Sequence, residues 1–552
     1  MRSAPCRHLV SRAPARHPLL TLLALVAASI ALPALAAQTM TVETSTALPD
    51  LSVAPQLTIE GDRIQLDLET AISIALQRNL SLVVQRYNTA ESRYRLTQSL
   101  GVYDPLATAD LAAADETAPA ATNLAGADVQ TSETQNWNLG ISKLLSTGGT
   151  VRADFLNTRQ ETNSSFATIN PSYRSDFDIT WSQPLLRNLG RQATERNILV
   201  SRNNLGISRE LFVQEVHRTI QSVANAYWTL LEAQYQLDVA QQAHDLAQQL
   251  HEQNTIRVEV GTLAPLELVQ SEAGVATRDE EIILADAAVQ QAEDDLRQLL
   301  NLEHGELWAT PIELDPADQR DPVAVDLQEA IDLALRERPE IAQQRLALES
   351  LLVDRGYFRN QRLPQVDLQV RYGFNGLGGD VTERDFFTGE ILSMTEGSYD
   401  DALDQITGGD FEGWRVGVNV SYPLRNRVAK AESAIADLAL DRGEARLAEL
   451  ELQVRAEVRR AVRALETATK AITSAEASRR LQERNLEAEQ KRYDNGLSTS
   501  FQVLEIQEDL ASARSREIAA QASYQRALVE FWRTVGGLDA ETGVTLVIAD
   551  EG

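Results

Sequence analysis

Between Leu447 and Ala475 the core-type positions step by four and three: Leu447, Glu451, Val454, Val458, Ala461, Leu465, Ala468, Ile472, Ala475. This is the heptad seam of packed helices, with alanines that let neighbours approach closely. Val213, Val216, Ile220, Val223, Tyr227, Leu230, Gln234 and Leu237 keep the same beat. The pattern predicts two very long helices, the second over about 427–492, each roughly 100 Å long at 1.5 Å per residue. No compact core holds such a length, so the expected molecule is elongated. Shorter helices are predicted over 67–98 and 263–300; end to end they match the first long helix and could pack along it.

A period of two replaces the heptads elsewhere. Trp414, Val416, Val418, Val420 and Tyr422 alternate with Arg415, Gly417, Asn419 and Ser421, and Val366, Leu368, Val370, Tyr372 and Phe374 with Asp367, Gln369 and Arg371. In the first half, Phe177, Ile179 and Trp181 alternate with Asp176, Asp178 and Thr180, and Val151, Ala153 and Phe155 with Arg152 and Asp154. These strands have one apolar, aromatic-ended face and one polar face, in runs of about 9–11 residues, the length that crosses an outer membrane when tilted. A Ser146–Gly149 turn adds a hairpin, giving four strands in the first half and two in the second. Asn123–Glu133 and Gly373–Phe411, rich in glycine and acids, read as long external loops. One chain has too few strands to close a channel, so closure needs several chains in a ring.

The halves are copies. Asp67–Leu82 (DLETAISIALQRNLSL) matches Asp326–Ile341 (DLQEAIDLALRERPEI), and WSQPLLRNLGR around Pro184 matches VSYPLRNRVAK around Pro423. Each of the latter turns a strand into helix. Val260-Gly261-Thr262 matches Asn495-Gly496-Leu497, each a turn at the end of a long helix. The order is the same in both halves: helix, strands, long helix, glycine turn, helix. The division is 67–305 and 326–540, with a Pro- and Asp-rich linker at 306–325, an extended segment at 37–66 and a tail at 541–552.

The N-terminus changes the setting. Arg2, Arg7, Arg12 and Arg16 precede an apolar run, Leu19–Leu32, and an Ala34-Leu35-Ala36 cleavage site, so 1–36 reads as a secretory signal peptide. The single cysteine, Cys6, lies inside it, leaving the mature chain without a disulfide. No later apolar stretch is long enough for a transmembrane helix, so membrane entry would have to be as a β-barrel. A formal charge of −29 argues against nucleic acid. Beyond the signal, His217, His244, His251 and His304 form no metal motif, and the Gly373–Asp380 glycines match no phosphate loop. No enzyme, metal or cofactor is expected. A secreted coiled-coil adhesin or structural fibre would explain heptads and signal, but not amphipathic strands at the same place in each copy.

With these carriers, the duplication, the junctions at Pro184 and Pro423 and the paired glycine turns, residues 67–540 resemble the TolC-like outer-membrane efflux and secretion channels. The resemblance implies a homotrimer in outer-membrane lipid. Each chain gives strands to one β-barrel and helices to a periplasmic α-barrel. It implies a passive duct, recruited by a periplasmic adaptor and, indirectly, an inner-membrane pump of RND, ABC or MFS type. It implies adaptor docking at Val260, Gly261, Thr262, Asn495, Gly496 and Leu497, and a periplasmic gate at Glu267, Tyr493, Gln502 and Glu505, Gln502 standing where an acid is often found. Four strands per chain are usual in the family; the extra hairpin allows six, hence up to eighteen per trimer, or a hairpin outside the wall.

Overall fold

The computed structural model describes residues 57–60, 62–119, 129–164, 167–302, 305–315, 325–384 and 391–538. The expected signal peptide and C-terminal tail lie outside these residues, as does His304.

Two helices set the scale, α3 (Arg196–Glu259, 64 residues) and α8 (Arg427–Asp494, 68 residues). The heptad seams face their neighbours: Val216, Ile220, Val223, Tyr227 and Leu230 of α3 and Val454, Val458, Ala461 and Leu465 of α8 are buried. The shorter helices pack along the long ones as the lengths suggest. α1 (Leu68–Arg78), α2 (Leu80–Leu100) and α4 (Pro265–Leu300) line α3; α5 (Leu327–Glu337), α6 (Pro339–Asn360) and α9 (Ser500–Val535) line α8. The repeats also touch directly, α3 against α6 and α9.

The helix expected over 67–98 is two helices. Asn79 is extended (φ −65, ψ 124) and its side chain accepts from the Ser81 N–H at 2.9 Å, capping α2. Its counterpart Arg338 is extended too, as a residue before proline prefers, with Pro339 opening α6. Arg338 is buried and bonds Glu457 at 2.6 Å and Glu340 at 3.2 Å. Burial alone would raise the pKa of both acids, but the Arg338 guanidinium outweighs it and holds them below the usual carboxylate range.

At mid-length a small sheet pairs the segment before the first repeat with the linker between the repeats: β1 (Thr58–Glu60), β2 (Arg63–Leu66) and β7 (Ile312–Leu314), with β2 and β7 parallel. Ile64, Leu66, Ile312 and Leu314 bury beside Tyr227, whose hydroxyl donates to the Asp315 carbonyl at 3.0 Å.

The large sheet runs β10-β8-β6-β5-β4-β3, with β9 pairing β8 at one end. Its strands are β3 (Leu106–Pro119), β4 (Val129–Leu144), β5 (Thr150–Thr162), β6 (Ile169–Pro184), β8 (Gln365–Arg384), β9 (Ile391–Thr395) and β10 (Glu412–Ser421). All pairs are antiparallel, and Phe177 of the first half lies opposite Phe374 of the second. The four and two strands read from the alternation are present, but most are longer, from 13 residues in β5 to 20 in β8. The apolar alternation stops where acids and arginines take over, whereas backbone pairing continues through them, as at Glu133↔Glu161.

The segment read as a long loop, Gly373–Phe411, is largely structured, and Val129–Glu133 of the other belongs to β4. Beyond Phe374, β8 continues to Arg384, and a helix α7 (Tyr399–Gly408) folds back on the sheet. The Ser398/Asp401 capping box and left-handed Gly409 (φ 71) bound it. It comes so close that a Cβ at Gly376 would lie 2.0 Å from the Ala402 carbonyl oxygen. Pro184 ends β6 in a buried position, and Pro423 stands exposed between β10 and α8. Lacking an N–H, neither proline donates to a ladder, although the Leu185 N–H after Pro184 still reaches the Val366 carbonyl at 2.7 Å.

Candidate functional site at the helix tips

Far from the sheet, α3 and α8 end in the same motif. Gly261 (φ 77) and Gly496 (φ 71) are left-handed. The Thr262 N–H donates to the Arg257 carbonyl and the Leu497 N–H to that of Arg492, both at 2.8 Å; Gly261 and Gly496 donate to Val258 and Tyr493 at 3.0 Å. These are Schellman turns, in which glycine supplies the positive φ that other residues adopt at a cost. Nothing lies within 4 Å of a Cβ built on either glycine. Around them Val260, Leu266, Val269, Leu497 and Phe501 project large apolar groups into solvent, Leu497 at 70 % exposure.

The four gate residues named from the sequence fall into two groups. Tyr493 is buried in an apolar cluster with Leu250, Leu486, Val503 and Leu510, its hydroxyl donating to Asn254 Oδ1. Arg257 stacks over that ring at 4.7 Å and pairs with Asp494 at 3.0 Å. Burial raises the Tyr493 pKa, with Glu267 adding to the rise and Arg257 opposing it. Glu267 accepts from the hydroxyl and the N–H (3.2 Å) of buried Ser500, tying the start of α4 to the start of α9. These two residues therefore clamp helix to helix. Gln502 and Glu505 are exposed, three residues apart on one face of α9. Ser498 bridges Glu489 to Gln502, the latter at 2.9 Å, and Thr499 caps the helix.

Sequence reasoning missed Asn254, Arg257, Asp494 and Ser500. Asn254 and Arg257 lie one turn apart on α3, a spacing shared with many helix faces; only the fold brings them to Tyr493. His251 bonds Ser271 at 3.0 Å and His244 approaches Asp279 at 3.3 Å. Among the described residues no three His, Cys, Asp or Glu side chains group as metal ligands, and no helix is long and apolar enough to cross a membrane.

An amphipathic antiparallel sheet on one end of two duplicated helices about 100 Å long is the architecture of the outer-membrane channel proteins. The chain belongs to the outer membrane efflux protein family, whose model matches residues 150–302 and 330–537. Among solved structures it is similar to the Campylobacter jejuni CmeC outer membrane channel, with TM-score 0.58, 17 % identity, and 85 % of this chain and 86 % of that one covered. For VceC of Vibrio cholerae the values are 0.58, 15 %, 85 % and 96 %. For the open-state MtrE channel of Neisseria gonorrhoeae they are 0.56, 18 %, 89 % and 97 %. No curated protein matches the sequence.

Proposed function

We propose that three copies of this chain form a passive exit duct. Their sheets close one barrel in the outer membrane, and their helices form a periplasmic tunnel. The helix tips close the tunnel and open it when a periplasmic adaptor, itself coupled to an inner-membrane pump, docks there. Such a duct serves an efflux or a type I secretion system. It performs no chemistry: the polar sheet face lines water and the apolar face meets lipid.

The observation that carries this reading is the pair of tips built on the same Schellman turn. Each sets exposed apolar side chains on a rigid Schellman turn, beside a buried polar clamp that joins α3, α4, α8 and α9. A surface of that kind suits end-on docking, and a clamp of hydrogen bonds can be exchanged without unfolding a core. The test is fractionation. The protein should be found in outer membranes and run in mild detergent as a trimer that collapses to monomer on heating. A soluble monomer after secretion would overturn the duct.

A further inference from the structure

The family match begins at Thr150, the first residue of β5. The β3–β4 hairpin precedes it, yet is built into the sheet. It pairs with β5 from Ser132↔Thr162 to Leu144↔Thr150. Two apolar rows carry through the hairpin, bounded by Lys143 of β4 toward the helices and by Ser175 and Asn157 away from them. One apolar row runs Trp414, Tyr372, Ile179, Ala153, Ile141, Ala107; the next runs Phe374, Phe177, Phe155, Leu139, Ala109. On the opposite face Arg371 bonds Asp178 at 2.7 Å, Arg152 bonds Asp154 at 2.6 Å and Asn138 reaches Asp110 at 3.3 Å, so the polar lining extends to β3 too. Just above the apolar rows, Tyr399 of α7 straps the hairpin to the matched strands. Its ring meets Trp137 of β4 at 5.4 Å, and its hydroxyl bonds Asn157 of β5 at 2.7 Å.

The sheet ends in two open edges, β10 and β3, both exposed along their length. Unpaired backbone edges are not tolerated in lipid. The strands alternate in direction, so β10, running toward the helices, meets β3, running away from them, in antiparallel sense, apolar face to apolar face. The side chains suit each other: bulky Trp414, Val416 and Val418 on one edge, and small Ala107, Ala109 and Ala113 with exposed Leu111 among them on the other.

We propose that each chain contributes six strands to the barrel wall, β10 of one copy pairing with β3 of the next, so that three chains close eighteen strands. This rests on the trimeric duct proposed above. The matched strands β5, β6, β8 and β10 alone would give four per chain; since barrel diameter grows roughly linearly with strand number, the hairpin makes the barrel about half as wide again.

Disulfide trapping between copies tests it. In a Cys6→Ser background, Val416→Cys or Val418→Cys on β10 is combined with Ala107→Cys, Ala109→Cys or Leu111→Cys on β3. A second set combines the same β10 variants with Ala153→Cys or Phe155→Cys on β5. Outer membranes are oxidised and run on non-reducing gels. The expected result is covalent multimers, up to the trimer, from β10–β3 pairs and none from β10–β5 pairs. The reverse pattern leaves the trimer standing and removes the six-strand wall, as do trimers in which neither set cross-links. Failure of every variant and of the unsubstituted chain to form heat-modifiable trimers removes the duct reading itself.

Discussion

The Tyr493 hydroxyl donates a hydrogen bond to Asn254, 239 residues earlier, inside the tip of the helical body. Both side chains are buried, Asn254 completely, and the Asn254 amide nitrogen has no hydrogen-bond partner. The Tyr493 bond is thus the one that offsets the cost of burying this amide. Tyr493→Phe strands it, a loss of about 1–3 kcal/mol in the closed arrangement. Planar-bilayer recordings should show longer or larger openings, with trimer yield and heat stability unchanged. Openings identical to those of the unsubstituted protein would remove Tyr493 from the gate.

The same bond has a pH signature. Tyr493 holds its proton above its ordinary pKa because burial disfavours the phenolate. Its contribution to holding α8 against α3 is fully present below about pH 10 and is lost as pH rises from there through the folded value. Conductance should climb in that alkaline window, and Tyr493→Phe should abolish the step.

At the junction of α5 and α6 the sign is reversed. Glu340 and Glu457 titrate low because Arg338 outweighs their burial. Their stabilisation is present above about pH 4.3 and is lost as pH falls through the folded values beneath it. Arg338→Met leaves two carboxylates, each still about a quarter exposed, without their partner. A loss of about 1–3 kcal/mol is expected, reduced from the fully buried case by that exposure. Thermal unfolding should start earlier, and the acid-dependent part of the curve should flatten.

Gly261→Val and Gly496→Val place a branched side chain in open space but at a φ that costs about 1–2 kcal/mol. Trimers should form normally while export stops, because only the exposed turn is reshaped. Gly261→Asn should retain most export, since asparagine tolerates left-handed geometry. Export unaffected by both valines would remove the docking role of the tips.

Glu505 is exposed one turn below Gln502. Three copies around a narrow opening would favour cations. Glu505→Gln should move the reversal potential toward zero selectivity, and Gln502→Glu should move it further toward cations. No shift from either would place both residues on an outer, solvated face.

Much of the architecture was legible because it rests on period. Val454, Val458 and Leu465 announced their seam by spacing alone, and Gly261 and Gly496 their turns by duplication. Asn79 was harder: its side-chain cap interrupts a helix whose apolar pattern runs on through the break. The Gly373–Phe411 segment looked like a loop because its glycines are close-approach points for α7, a role indistinguishable in sequence from flexibility. The tip clamp was legible only in part. Tyr493 and Glu267 stood out beside the glycines, but Asn254 and Ser500 become partners only when helices far apart in sequence are laid side by side.

The pairing of β6 with β8 sets an order of events. Phe177 waits for Phe374, 197 residues further along the chain, so the sheet cannot zip up as the chain emerges; such distant pairings are slow to form. Until then β6 presents aromatic residues and open backbone to whatever surrounds it. The β10 and β3 edges wait longer still if their partners lie on other copies, and the final closure is then a concentration-dependent encounter. Between arrival and assembly these unpaired strands are the part of the chain most open to aggregation.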